Sequence, residues 1–126
     1  MSPRRKKQKL ELHRDPIFGF YFMMVVGGKE SDAMRKFCRR FNLRPPDIVL
    51  DTNLGSFAEN ADSPYCGLIW VEEDASASTI AHECAHATAH VCRVLQLDPR
   101  QADEFQASYT GWLVRNMTRL YYRRGK

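Results

Sequence analysis

Residues 79–95 read Thr79-Ile80-Ala81-His82-Glu83-Cys84-Ala85-His86-Ala87-Thr88-Ala89-His90-Val91-Cys92-Arg93-Val94-Leu95. His82 and His86 are four apart, so on a helix one ring sits above the other on the same face. Both can then reach a single tetrahedral metal ion, and Glu83, about 100° round the axis from His82, can contact a water on the ion's open side. At 100° per residue Thr79, His82, Glu83, His86, His90 and Arg93 fall within one wedge of about 100°. Thr88 apart, the rest of the surface is Ala, Ile, Val, Leu and Cys. Such a helix is packed on most sides, and a dry polar seam would be costly. The pattern predicts a buried helix whose seam lines a metal-holding cleft.

Its flanks are marked. Asp74 and Ser76 are candidate N-caps, and Glu72, Glu73 and Asp74 suit the positive end of the helix dipole. Leu97-Asp98-Pro99 predicts a turn into a second helix over 99–120, running back along the first, with Asp98 as N-cap and Pro99 in its first position. On that helix Glu104, Ala107, Ser108, Gly111 and Arg115 share a face opposite Tyr109, Leu113, Met117 and Leu120. Small residues around Glu104 permit close helix approach and make it the candidate third ligand. Two histidines, a glutamate and a water form a known catalytic zinc shell.

From Thr79 to Trp112, the pentad His82-Glu83-Cys84-Ala85-His86 followed by Asp103-Glu104-Phe105-Gln106-Ala107 resembles the glutamate-ligand branch of the zincin metallopeptidases. It is also similar to small bacteriophage-encoded proteins that carry this pentad and a run like Ala107-Ser108-Tyr109-Thr110-Gly111-Trp112-Leu113. The resemblance covers about a third of the chain. It implies an α+β, minimal zincin-like fold in which a small twisted sheet packs against the pentad helix and a following antiparallel helix. It also implies Zn2+ held by His82, His86 and Glu104, with Glu83 as general base for hydrolysis of a protein or peptide substrate. The implied compartment is the cytoplasm, that of the host cell for a phage product. Ser108 stands where many members of the branch have an acidic residue. No motif marks the residue that stabilises the oxyanion, which leaves His90, Ser108, Tyr109 and Arg115 as candidates for that role or for supporting a ligand.

Another zincin branch takes a third histidine six residues after the pentad, beyond a glycine that turns the chain; here Ala89 and Cys92 occupy those positions. The helix therefore continues and Cys92 belongs to the core. Three rings at successive i, i+4 positions span about 12 Å, too far for His90 to join the other two on one ion.

The remaining sequence supplies a sheet. Ile17 to Val26 is a continuous apolar run closed by Gly27-Gly28 and predicts a buried strand. A helix follows, capped by Ser31, with Ala33, Met34, Phe37, Cys38 and Phe41 at helical spacing. Pro45-Pro46 ends it before a short strand at Ile48-Val49-Leu50. Residues 51–64 are a hairpin or a loop over the cleft, and a further strand runs from Leu68 to Glu72. If Cys66–Val71 lies beside the cleft with a free edge, an extended peptide can pair with it. Trp70 on that strand reads as core, with a substrate pocket as the other reading.

A chain of 126 residues suits one domain, taken as 10–126 after a disordered basic tail at 1–9. Cys38, Cys66, Cys84 and Cys92 form no CxxC pair, no secretory segment is recognisable, and no apolar run approaches a membrane span. Reduced, buried cysteines and no membrane contact are expected. The net charge of +4 is uneven. Residues 1–9 and 115–126 each carry five Lys or Arg and no acid, while the body between has nine basic residues against fifteen acidic. Solubility and a favourable helix C-terminus account for this blandly; a weak nucleic-acid contact through the termini is the sharper account. The alternative functions are a catalytically inactive, metal-stabilised binding protein and an interaction protein without metal.

Overall fold

The computed structural model describes residues 8–46, 53–98, 100 and 102–123. The strand expected at 48–50 and the residues 1–7 of the basic tail lie outside them. In chain order the elements are β1 (Lys9–Arg14), β2 (Tyr21–Val26), α1 (Glu30–Arg40), β3 (Gly55–Glu59), β4 (Cys66–Val71), α2 (Ala77–Leu95) and α3 (Asp103–Tyr122). They form an α+β fold around one four-stranded mixed sheet of order β1-β2-β4-β3. The β2–β4 pair is parallel and the two outer pairs are antiparallel.

Alternation along the strands divides the core in two. Phe22, Met24 and Val26 of β2 join Ile69 and Val71 of β4 under α2 and α3, against Ile80, Cys84, Ala87, Val91, Leu113, Met117 and Leu120. Met23 and Val25, with Leu68 and Trp70, point to the opposite face and meet Ala33, Phe37 and Cys38 of α1. The sheet is therefore covered on both faces rather than lying only to one side of the two long helices. All six residues of β4 are buried, as a central strand between two helical layers requires. Gly67 is fixed by this crowding: a Cβ there would sit 2.8 Å from the Phe57 ring.

Several expected boundaries move. The strand β1 begins at Lys9, the last residue of the stretch read as a tail, and its Leu10 and Leu12 pack onto the α1 side of the core. β2 starts at Tyr21 rather than Ile17, because the Asp15 carboxylate gathers the preceding backbone into a loop. Its Oδ1 accepts from the N–H groups of Ile17 (2.8 Å), Phe18 (2.6 Å) and Gly19 (3.3 Å). Its Oδ2 accepts from Phe20 N–H (3.0 Å) and the Tyr109 hydroxyl (2.8 Å). Burial pushes the Asp15 carboxyl up, yet these donors together outweigh it and hold the group below the usual aspartate range. α1 begins at Glu30 with Lys29 at its N-cap, which puts Ser31 inside the first turn. α3 begins at Asp103, not 99. Asp98 instead makes a turn, accepting the Arg100 N–H at 2.9 Å, and Ala102 is the N-cap.

Candidate metal centre and cleft

Ser76 caps α2, its hydroxyl accepting the Thr79 N–H at 3.2 Å. The buried stripe Ile80, Cys84, Ala87 and Val91 faces the sheet. To one side Thr88 meets Thr110 of α3 through a 2.7 Å hydroxyl contact. On the other side β3 comes close enough that a Cβ on Gly55 would lie 2.8 Å from Thr79 Cγ2 and 3.1 Å from Glu83 Cγ. Glycine at 55 is thus a condition of the approach. Trapped between the sheet, α3 and β3, α2 has one open sector, and His82 and His86 project from it.

Their Nε2 atoms are 3.1 Å apart, with ring planes at 81°. Two nitrogens bound at 2.0–2.1 Å to a tetrahedral ion are separated by about 3.3 Å, so the imidazoles already stand at nearly the spacing such an ion needs. Ligand-capable atoms of His82, Glu83 and His86 lie within 4.8 Å of one another. The donor set of two imidazoles and a carboxylate suits Zn2+.

Glu83 is 8% exposed. Burial is the largest influence raising its carboxyl above the usual range; the two histidines oppose it, the nearby charge of Glu30 adds to it, and the Phe57 backbone opposes it slightly. Glu30 is itself buried and accepts from the Asn53 amide at 2.9 Å. A poorly solvated carboxylate with a raised affinity for protons beside two candidate ligands is suited to moving a proton.

The three residues open onto a cleft of about 440 Å³, walled on one side by α2 through His82, Glu83, His86 and Arg93 and on the other by Asn53 and β3. Among the described residues β3 is an edge strand, whereas β4 is interior, paired on both sides. The expected free edge on Cys66–Val71 is therefore corrected to Gly55–Glu59. Glu72 N–H donates to Leu54 C=O, which fixes the pairing phase: the backbone groups of Ser56 and Ala58 turn toward β4, and those of Gly55, Phe57 and Glu59 turn outward. The Phe57 N–H, which faces the Glu83 side of the cleft, belongs to this outward set.

Among the described residues Glu104 is not part of the cluster. It is exposed in the first turn of α3, on the face opposite the buried Tyr109, Leu113, Met117 and Leu120. The contact that joins α3 to α2, at Thr88, lies about 160° round α2 from His86. A side chain on the outer face of α3 is thus turned away from the histidines twice over. Tyr109 is 5% exposed with its hydroxyl given to Asp15, and burial first, then that carboxylate, raises its pKa. It is a structural donor and not a free one for an oxyanion. Ser108 borders a separate pocket with Ile17, Phe105 and Trp112, and Arg115 is exposed on the outer face of α3.

His90 is buried, its Nε2 donating to Pro64 C=O at 2.7 Å and its Nδ1 paired with the Glu59 carboxylate. It ties β3 and the loop before β4 to α2 instead of facing substrate. Trp70 is core, its indole N–H on Gly27 C=O at 2.9 Å. All four cysteines are buried and unpaired, and burial pushes Cys84 up to about 12. No described helix is long and apolar enough to cross a membrane. Sequence reasoning missed Asn53, Gly55, Phe57 and Glu59 as a cleft wall, and Glu30 behind it. Arg93 lay in the polar wedge but had no role; here it lines the cleft 3.4 Å from Glu59.

The chain matches no protein-family model, no curated protein and no solved structure.

Proposed function

We propose that the chain is a zinc-dependent peptidase working in the cleft between α2 and β3. The observation that carries this reading is the pair of Nε2 atoms 3.1 Å apart beside the buried Glu83, on a cleft whose opposite wall is an edge strand. His82 and His86 would hold the ion, which when bound polarises a carbonyl and acidifies a water molecule. Glu83 would take a proton from the attacking water as its oxygen bonds to the scissile carbonyl carbon, an uptake its raised proton affinity favours. It would then give that proton to the nitrogen as the carbon–nitrogen bond breaks. An extended peptide pairs with the outward groups of Gly55, Phe57 and Glu59.

A second reading, a metal-stabilised binding protein without turnover, is favoured by the position of Glu104. Without it, and with Glu83 kept as the base, the described cluster supplies two imidazoles rather than the three protein ligands usual for catalytic zinc. Zinc titration followed by calorimetry, together with hydrolysis assays on an unfolded protein substrate, separates the readings. The peptidase reading expects one zinc per chain, lost in His82→Ala, and cleavage that disappears in Glu83→Gln while zinc binding persists. Zinc binding without cleavage leaves the second reading; no binding at all removes both.

A further inference from the structure

The arginines of α3 are unused by the cleft. Arg115, Arg119 and Arg123 recur at intervals of four, so they form one stripe along the helix, and all three are exposed. From the first to the last they span about 12 Å. Arg115 and Arg119 make no ion pair among the described residues, and Arg123 is oriented by Glu11 at 2.7 Å. Tyr122 sits on the same stripe and is 72% exposed, its ring meeting that of Tyr121 edge-on at 5.1 Å.

β1 brings a further cation, Lys9, to the same place. Lys9 Nζ donates to the terminal carbonyls of α3, at Tyr121 and, at 3.1 Å, Arg123. Arg4, Arg5, Lys6 and Lys7 precede that lysine by a few residues, and Arg124 and Lys126 follow Arg123, with no acid in either stretch. Lys9 and Arg123, far apart in sequence, therefore meet at one pole. One acid, Glu11, is at this pole and is paired with Arg123; Asp103 and Glu104 start the opposite end of α3, and the Glu72–Asp74 turn is reached by the Tyr121 hydroxyl, on another side of the helix from Tyr122.

We infer that this pole, the outer face of α3 from Arg115 to Arg123 with Lys9 beside it, is a binding site for single-stranded nucleic acid. Spaced guanidinium groups meet successive phosphates, and the exposed Tyr122 ring offers a stacking surface for a base. A lipid surface is the poorer match, since the stripe continues through Ser108 and Gly111 and lacks the apolar flank of an interfacial helix. The site is independent of the metal cleft, so neither stands or falls with the other.

Fluorescence anisotropy of a labelled 30-nucleotide oligo-deoxythymidine with the full chain, from 50 to 300 mM NaCl, tests this. Binding should weaken steeply with salt. Arg115→Gln/Arg119→Gln should reduce the slope of log affinity against log salt by about 1.4, roughly 0.7 per cation removed. Tyr122→Ala should weaken binding about fivefold or more with the slope unchanged, the signature of a lost stacking contact. All three side chains are exposed, so thermal melting of the variants should match that of the parent. Absence of binding at 50 mM NaCl overturns the inference. So does binding indifferent to the arginine pair or to Tyr122→Ala, or binding to anionic vesicles but not to the oligonucleotide.

Discussion

Two carboxylates on this sheet's helical face live under opposite conditions. Asp15 is 1% exposed and receives five hydrogen bonds, four from backbone N–H groups and one from Tyr109. Glu83 is nearly as buried, yet its surroundings are a neighbouring negative charge and two imidazoles on an open cleft. One site holds its proton affinity down and the other lets it rise. A saturated polar cluster locks a loop in place; an undersupplied one keeps the capacity to bind and to exchange protons.

The largest expected effect breaks the undersupplied member. Glu83→Gln should lower peptide hydrolysis by about 10²–10⁴-fold, the usual worth of a general base, with urea midpoints and zinc stoichiometry retained. Retained hydrolysis would remove Glu83 from its role. Asp15→Asn should do the reverse. The amide turns a donor toward Phe20 N–H or Tyr109, so stability should fall by about 2–3 kcal/mol, measured by urea unfolding, while zinc affinity stays the same. A smaller effect follows from pH. The Asp15 pKa is depressed in the fold, so its contribution is complete above the unfolded value of about 3.9 and is lost as pH falls through the lower folded value. The stability gap between the parent and Asp15→Asn should accordingly be widest near neutrality and close below about pH 4. Tyr109→Phe removes one of five donors and should cost about 1–2 kcal/mol. Smallest of all, Glu104→Ala should leave zinc affinity within about twofold, where loss of a true ligand would cost far more; a large drop would restore it to the shell.

The contrast also explains what could be read from residues alone. α2 was legible because its cap, its apolar surface and its polar wedge are all local, and β4 because a strand covered on both faces is an unbroken apolar run. The stretch from Ile17 was over-read for the same reason: Ile17 and Phe18 prolong the apolar run, but the carboxylate that bends it is completed by Tyr109, 94 residues away. β1 was lost because Leu10 and Leu12 offer one brief alternation at the edge of a basic stretch. Glu104 shows the limit of helical-wheel reasoning. The wheel identified its companions on one face correctly, Ala107, Ser108, Gly111 and Arg115, but small residues gather on solvent faces as readily as at helix contacts, and all of these are exposed. The stretch 51–64 reads as a hairpin or a loop over the cleft, but the residues that wall it were not legible, because Gly55 and Phe57 acquire their meaning only when β3 pairs with β4.

The lysine that spans from the first strand to the final turn of the last helix has a topological corollary. With Lys9 Nζ 3.1 Å from the Arg123 carbonyl, a linker of a few residues could join the regions near the two ends into a closed circle. The ring could then be reopened at the exposed Ala61-Asp62 turn ahead of β4. Such a permutant would keep the histidine cleft while separating β3 from β4 in chain order, leaving their pairing to cohesion across the sheet alone.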